Sequence, residues 1–102
     1  MAFDMYFGEA EHEAIGHHEE FLFSLVQEHE DRYPELTKIW EAFYDGPTIS
    51  AHQSGHIVHE LIELLASNGG LTNKSLASAV VRLLPFFSSA YRGGKDVRCS
   101  SD

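Results

Sequence analysis

The sequence is poor in cysteine, in basic residues and in long apolar runs, and each shortage excludes a class of site, segment or partner. Cys99 is the one cysteine among 102 residues, so an internal disulfide and a zinc site of the paired-cysteine kind are excluded. We expect its thiol to be buried or incidental. No stretch approaches the roughly 18 uninterrupted apolar residues of a membrane span, and no basic region followed by an apolar run opens the chain. The sequence therefore predicts a soluble, cytoplasmic protein with one helical domain over residues 1–102.

Basic residues are scarce, and the acidic ones are unevenly distributed. The formal net charge is −9, from 7 Lys and Arg against 16 Asp and Glu. Residues 1–63 hold 14 of the 16 acidic residues and all seven histidines, whereas residues 64–102 are net basic. Such a surface repels nucleic acid and anionic membranes and attracts basic proteins. Binding to DNA or RNA is therefore disfavoured, although an acidic surface can also serve solubility alone.

Hydrophobic periodicity predicts a mainly α fold, a small bundle of four helices joined by short turns. The predicted helices cover about residues 9–31, 34–44, 50–67 and 76–91. Pro85 should bend the fourth helix, and Ser50 with Gln53 has the spacing of a capping box for the third. The two ends of the chain, AFDMYF and KDVRCSSD, are suited to a short extended pairing.

The third predicted helix carries two separate stripes. Its apolar side should be buried and consists of Ile57, Val58, Leu61, Ile62 and Leu65. The other side should be exposed and is a histidine ladder, formed by His52, His56, His59 and Glu63 within roughly 60° of arc. Because histidines at i and i+4 can chelate zinc, copper or nickel, one interpretation of the whole ladder is a metal site. The sequence has no HExxH motif, and the favoured interpretation is a surface that faces a partner or solvent, with no metal and no cofactor.

Catalytic motifs are missing from the sequence. It has no nucleophile elbow, no phosphate-binding glycine loop and no cysteine near a histidine, so we expect that the protein is not an enzyme. Binding through charge is the alternative, because carboxylates on rigid helices accelerate association with basic surfaces. The expected partner-binding residues are Glu19, Glu20, Asp45, His52, His56, His59, Glu60 and Glu63.

In these features the sequence resembles the small acidic immunity proteins that bacteria make beside secreted antibacterial toxins, including those delivered by type VI or contact-dependent machinery. The resemblance is one of type: a short acidic chain with an N-terminal AFDMYF, a HELIELLAS helix and a tail ending VRCSSD. It implies a cytosolic inhibitor that binds and neutralises a cognate toxin, for example a nuclease with a basic surface. Two other classes stay open, a histidine-rich metal-binding helical protein and a homo-oligomeric regulatory module. In the second, aromatic residues such as Tyr6, Phe21 and Phe23 would seal a dimer.

Overall fold

The computed structural model describes residues 2–101 and combines an antiparallel sheet with α-helices. The strands in this range are β1 (Ala2–Phe7), β2 (Glu11–Gly16), β3 (Thr48–Ile49) and β4 (Val97–Ser101). The α-helices are α1 (Phe21–Gln27), α2 (Pro34–Glu41), α3 (Ala51–Ser67) and α4 (Lys74–Arg92). Short 3-10 turns precede α1, α2 and α4 at His17–Glu19, Glu30–Arg32 and Gly70–Thr72. The prediction of a mainly α four-helix bundle is therefore wrong, because a four-stranded sheet forms part of the fold.

A β-hairpin replaces the first half of the predicted first helix. Gly8 adopts φ +63° at the turn, and β2 then pairs antiparallel with β1, with Met5 opposite Glu13. Phe3 and Met5 are buried, so β1 lies in the interior and its backbone groups need partners on both sides. The strands β2 and β4 supply them, and this tertiary pairing overrides the helical spacing of the local sequence.

The two ends of the chain meet in the middle of the sheet. The strand order is β2-β1-β4-β3, and β1 pairs with β4 so that Phe3 lies opposite Ser101 and Met5 opposite Cys99. The predicted extended pairing of the end segments is confirmed for these residues. Asp102, the last residue of the predicted segment, lies outside the described residues.

Helices α3 and α4 follow the sequence prediction closely. The capping box at the start of α3 is present: Gln53 N donates to Ser50 Oγ at 3.1 Å, and Ser50 N donates to Gln53 Oε1 at 2.8 Å. Helix α4 is continuous from Lys74 to Arg92 with Pro85 inside it, so the proline does not split the helix. Within residues 2–101, no helix combines the length and the apolarity that crossing a membrane requires.

The core joins the sheet to the helices through aromatic and aliphatic side chains. All four predicted helices contribute buried apolar residues to it, among them Leu22, Val26, Leu36, Ile39, Phe43, Ile57, Leu61, Val80, Leu83 and Phe87. The sheet adds Phe3, whose ring stacks on Phe43 with centroids 4.7 Å apart. Ile62 was expected in the core but is 49% exposed. The buried side of α3 is instead centred on Ile57, Leu61 and Leu64.

Candidate functional site

The exposed side of α3 carries the histidine ladder. Its four side chains all belong to exposed residues, as the sequence predicted: His52, His56, His59 and Glu63. They are exposed because Ile57, Leu61 and Leu64 point into the core from the other side of the same helix. Packing of α3 therefore fixes the direction in which the ladder faces.

A groove of about 350 Å³ runs between this side of α3 and the end of α4. Its lining residues are His52, Gly55, His56, Val58 and His59 from α3, and Ser88, Tyr91 and Arg92 from α4. Tyr91 is 53% exposed, and its ring lies against Gly55, where a β-carbon would be 2.7 Å from Tyr91 Cδ1. Glycine at position 55 therefore admits the ring. The sequence prediction missed the contribution of α4, although a glycine in a helix interior indicates close approach of a neighbour.

Two of the four ladder residues are joined in the structure. The Nε2 atoms of His52 and His56 are 3.1 Å apart and share a hydrogen bond, and their ring planes cross at 82°. Glu63 is engaged elsewhere, accepting a hydrogen bond from Arg32 at 2.7 Å. Among residues 2–101, no group of three or more His, Cys, Asp or Glu side chains is arranged to hold a metal ion. The four-residue ligand set considered from the sequence is thus not assembled.

Arg32 links α3 to an acidic segment that the sequence prediction did not include. Besides its ion pair with Glu63, its guanidinium lies 3.5 Å from Ser67 Oγ. The residues just before it form an exposed acidic turn, defined by Glu28, Glu30 and Asp31. In the described part of the chain none of these three carboxylates has an ion-pair partner. The acidic run EHED at residues 28–31 could have been noticed in the sequence. Its position beside α3, however, follows only from the tertiary fold.

Glu60 was expected to bind a partner, and this expectation is corrected. The residue is buried, with 7% of its surface exposed. Its carboxylate accepts hydrogen bonds from the backbone N–H groups of Glu35 and Leu36, at 3.1 and 3.0 Å, at the start of α2. Burial raises the pKa of Glu60, and the two N–H donors oppose that rise only in part. Glu60 therefore joins α3 to α2 and is not available at the surface.

Glu19 is also engaged within the fold. Arg82 of α4 forms ion pairs with Glu19 and Glu13 and donates to the Ala14 carbonyl at 2.7 Å. Burial alone would raise the pKa of Glu19, but the hydrogen bonds from Arg82 and from the Gly16 N–H, together with the charge of Arg82, outweigh it and lower the pKa. Glu19 thus connects the segment after β2 to α4 rather than offering a free charge.

The other expected charge partners differ in exposure. Glu20 is half-buried, and its carboxylate lies 3.3 Å from Nδ1 of His17. Asp45 is exposed in the turn between α2 and β3. Neither residue lines the groove between α3 and α4.

The three aromatic residues considered for a dimer contact also differ in exposure. Tyr6 and Phe21 are 40% and 36% exposed. Phe23 is fully buried and stacks on Trp40, with ring centroids 4.9 Å apart. Phe23 therefore belongs to the core and cannot form an intermolecular contact without unfolding of that region.

The chain's one thiol is buried, as the sequence predicted. Cys99 lies on β4, and burial raises its pKa to about 12. A thiol with this pKa is protonated at neutral pH, and the protonated form is a poor nucleophile. Cys99 therefore contributes to packing rather than to chemistry.

Comparison of the chain with protein-family models, with curated proteins and with solved structures gave no match. Its function must accordingly be argued from its own residues.

Proposed function

We propose that this chain is a protein inhibitor of the immunity type, which binds a basic antibacterial toxin in the cytoplasm and neutralises it without catalysis of its own. The observation that carries the proposal is the continuity of one surface. The ion pair between Arg32 and Glu63 joins the acidic turn to one end of the histidine ladder of α3. The three histidines of the ladder line the groove that contains the exposed ring of Tyr91.

The charge of this surface favours a basic partner. Residues 1–63 carry 14 acidic residues against two basic ones, Arg32 and Lys38, and Arg32 is already paired with Glu63. The three carboxylates of the acidic turn are exposed, and none of them forms an ion pair with a described side chain. Such a field accelerates association with a cationic protein and disfavours anionic partners, including nucleic acid.

The groove supplies a place for a specific contact beside the charges. Tyrosine is enriched in protein interfaces because it offers a large, rigid contact area with a polar tip. Tyr91 lines the groove and is half exposed, and the groove volume of about 350 Å³ can accept a large side chain of a partner. We therefore assign Tyr91 to the centre of the interface and the acidic turn to its rim.

The size of the molecule is sufficient for such an interface. A stable complex buries roughly 800 Å² on each partner, and the total accessible surface of this chain is 5636 Å². About one seventh of the surface would therefore be covered. The exposed side of α3, its groove with α4 and the acidic turn together are our candidate for that area.

Growth rescue tests the proposal directly. The tagged chain is recovered from its native cells, and the protein bound to it is identified and expressed in a sensitive host with and without this chain. We expect the partner to be basic and to arrest growth when expressed alone, and we expect co-expression to restore growth. A partner that leaves growth unaffected, or growth arrest that this chain does not relieve, would refute the inhibitor function.

A further inference from the structure

The contact between His52 and His56 places two imidazole nitrogens where one ion can reach both. The two side chains are one turn apart on α3, and their Nε2 atoms are 3.1 Å from each other. Both residues are exposed and both line the groove. A metal ion can therefore approach from solvent without disturbing the core.

We propose that His52 and His56 form a two-ligand site for a late first-row transition-metal ion of the class Zn²⁺, Ni²⁺ and Cu²⁺. Bonds of about 2.05 Å from two nitrogens separated by 3.1 Å subtend about 100° at the ion. This angle lies between the values of square-planar and tetrahedral coordination, which these ions adopt. The proposal does not depend on the inhibitor function.

The ion replaces the hydrogen bond that now joins the rings. In that bond one neutral imidazole donates its Nε2 proton and the other accepts through a bare Nε2. Metal binding requires both Nε2 atoms to be bare, so the donor ring moves its proton to Nδ1. When both rings start neutral, no proton is released and no electron is transferred, and two nitrogen–metal bonds form in place of one hydrogen bond.

The remaining coordination positions are open to water or to a donor from another molecule. His59 lines the same groove but is not grouped with the pair, and Glu63 is bound by Arg32. Arg92 is the positively charged side chain that lines the groove, so the site depends on imidazole ligation rather than on a negative field. Ions that prefer oxygen ligands, such as Mg²⁺, should therefore not bind here.

The purified chain is first treated with a chelator to remove bound metal. It is then titrated with Zn²⁺, and the signals of the histidine rings are followed by NMR. We expect saturable binding of one ion, with the ring signals of His52 and His56 shifting together. Replacement of either histidine by alanine should weaken binding at least about tenfold, because even groups that merely orient a ligand change metal affinity by that much. Mg²⁺ should leave both ring signals in place.

His29→Ala is the matched control, since His29 is exposed and has no side-chain hydrogen bond within the described residues. It should leave the affinity for Zn²⁺ unchanged, and far-ultraviolet circular dichroism should confirm that each variant keeps its helices. An equal loss in His29→Ala, or full binding in His56→Ala, would overturn the proposal. A loss in His59→Ala as large as in His56→Ala would overturn the two-ligand assignment. If Mg²⁺ shifted the same ring signals to the same extent, the two-ligand assignment would also fail, because the ions would then be attracted by charge and not bound by imidazole.

Discussion

Gly55 of α3 lies directly against the ring of Tyr91 of α4, so close that a β-carbon at position 55 would be 2.7 Å from Tyr91 Cδ1. A glycine in the middle of a helix destabilises it by about 0.5–1 kcal/mol relative to alanine. Here the glycine admits an aromatic ring that remains 53% exposed. The contact therefore shapes a surface groove rather than filling the core, which agrees with a binding role for this part of α3.

A double-mutant cycle tests the relationship between these two residues. In a Tyr91→Ala background, Gly55→Ala should raise the free energy of unfolding by about 0.5–1 kcal/mol, because alanine is the better helix former. In the wild-type background the gain should be smaller or reversed, because the new methyl group must displace the ring. Urea denaturation measures both values. Equal gains in the two backgrounds would show that the ring does not contact position 55.

Glu60 should stabilise the fold, whereas Glu63 should contribute little. Glu60→Ala leaves the backbone N–H groups of Glu35 and Leu36 without their acceptor, and we expect a loss of about 1–3 kcal/mol in the free energy of unfolding. Glu63→Ala is the matched control on the same helix. It breaks only an exposed ion pair with Arg32, which is worth about 0–1 kcal/mol. Equal losses in urea denaturation would contradict the assignment of Glu60 as a structural acceptor.

The pair of Glu19 and Arg82 should make stability depend on pH in the acid range. The pKa of Glu19 in the folded protein is lowered below its ordinary value of 4.5, so the carboxylate stabilises the fold above that value. This contribution is lost as the pH falls through the lowered pKa. Glu19→Gln should therefore cost about 1–2 kcal/mol at neutral pH, and the difference from wild type should disappear in strong acid. A difference that stays constant with pH would rule out the charged form of Glu19 as the cause.

Cys99 should react slowly in the native state. With its pKa raised to about 12, the thiolate fraction at neutral pH is at least about 100-fold lower than that of a free cysteine. A thiol reagent should modify the native protein correspondingly more slowly than the protein in concentrated urea. Comparable rates in the two conditions would mean that β4 opens readily.

The sequence allowed good prediction where local signals act alone. The capping box of Ser50 and Gln53 and the exposure of the histidine ladder depend on one segment and its periodicity. The predicted first helix was wrong at residues 11–16, where the spacing of Ile15 to Leu22 fits a helix although Ile15 is buried on strand β2. The structure of this segment is determined by its pairing with β1, and the local sequence pattern does not reveal that pairing.

The candidate site was harder to predict because it depends on tertiary contacts. His59 and Glu60 are neighbours in sequence, yet one faces solvent and the other caps α2, since one residue along a helix rotates the side chain by about 100°. The acidic turn lies beside α3 because of the tertiary fold, which brings Arg32 against Glu63, 31 residues away. Periodicity gives the exposed side of one helix, but it does not say which other segments adjoin that side.

Association kinetics with the partner identified in native cells tests the central claim most directly. Two double variants change the net charge equally: Glu28→Lys with Glu30→Lys in the acidic turn, and Glu9→Lys with Glu11→Lys in the exposed β1–β2 hairpin. The first pair should slow association by about tenfold and reduce its salt dependence, because the steering charges lie at the interface. The second pair should have a much smaller effect. Equal slowing by both pairs, or none by the first, would contradict a partner-binding surface made of the acidic turn and the exposed side of α3.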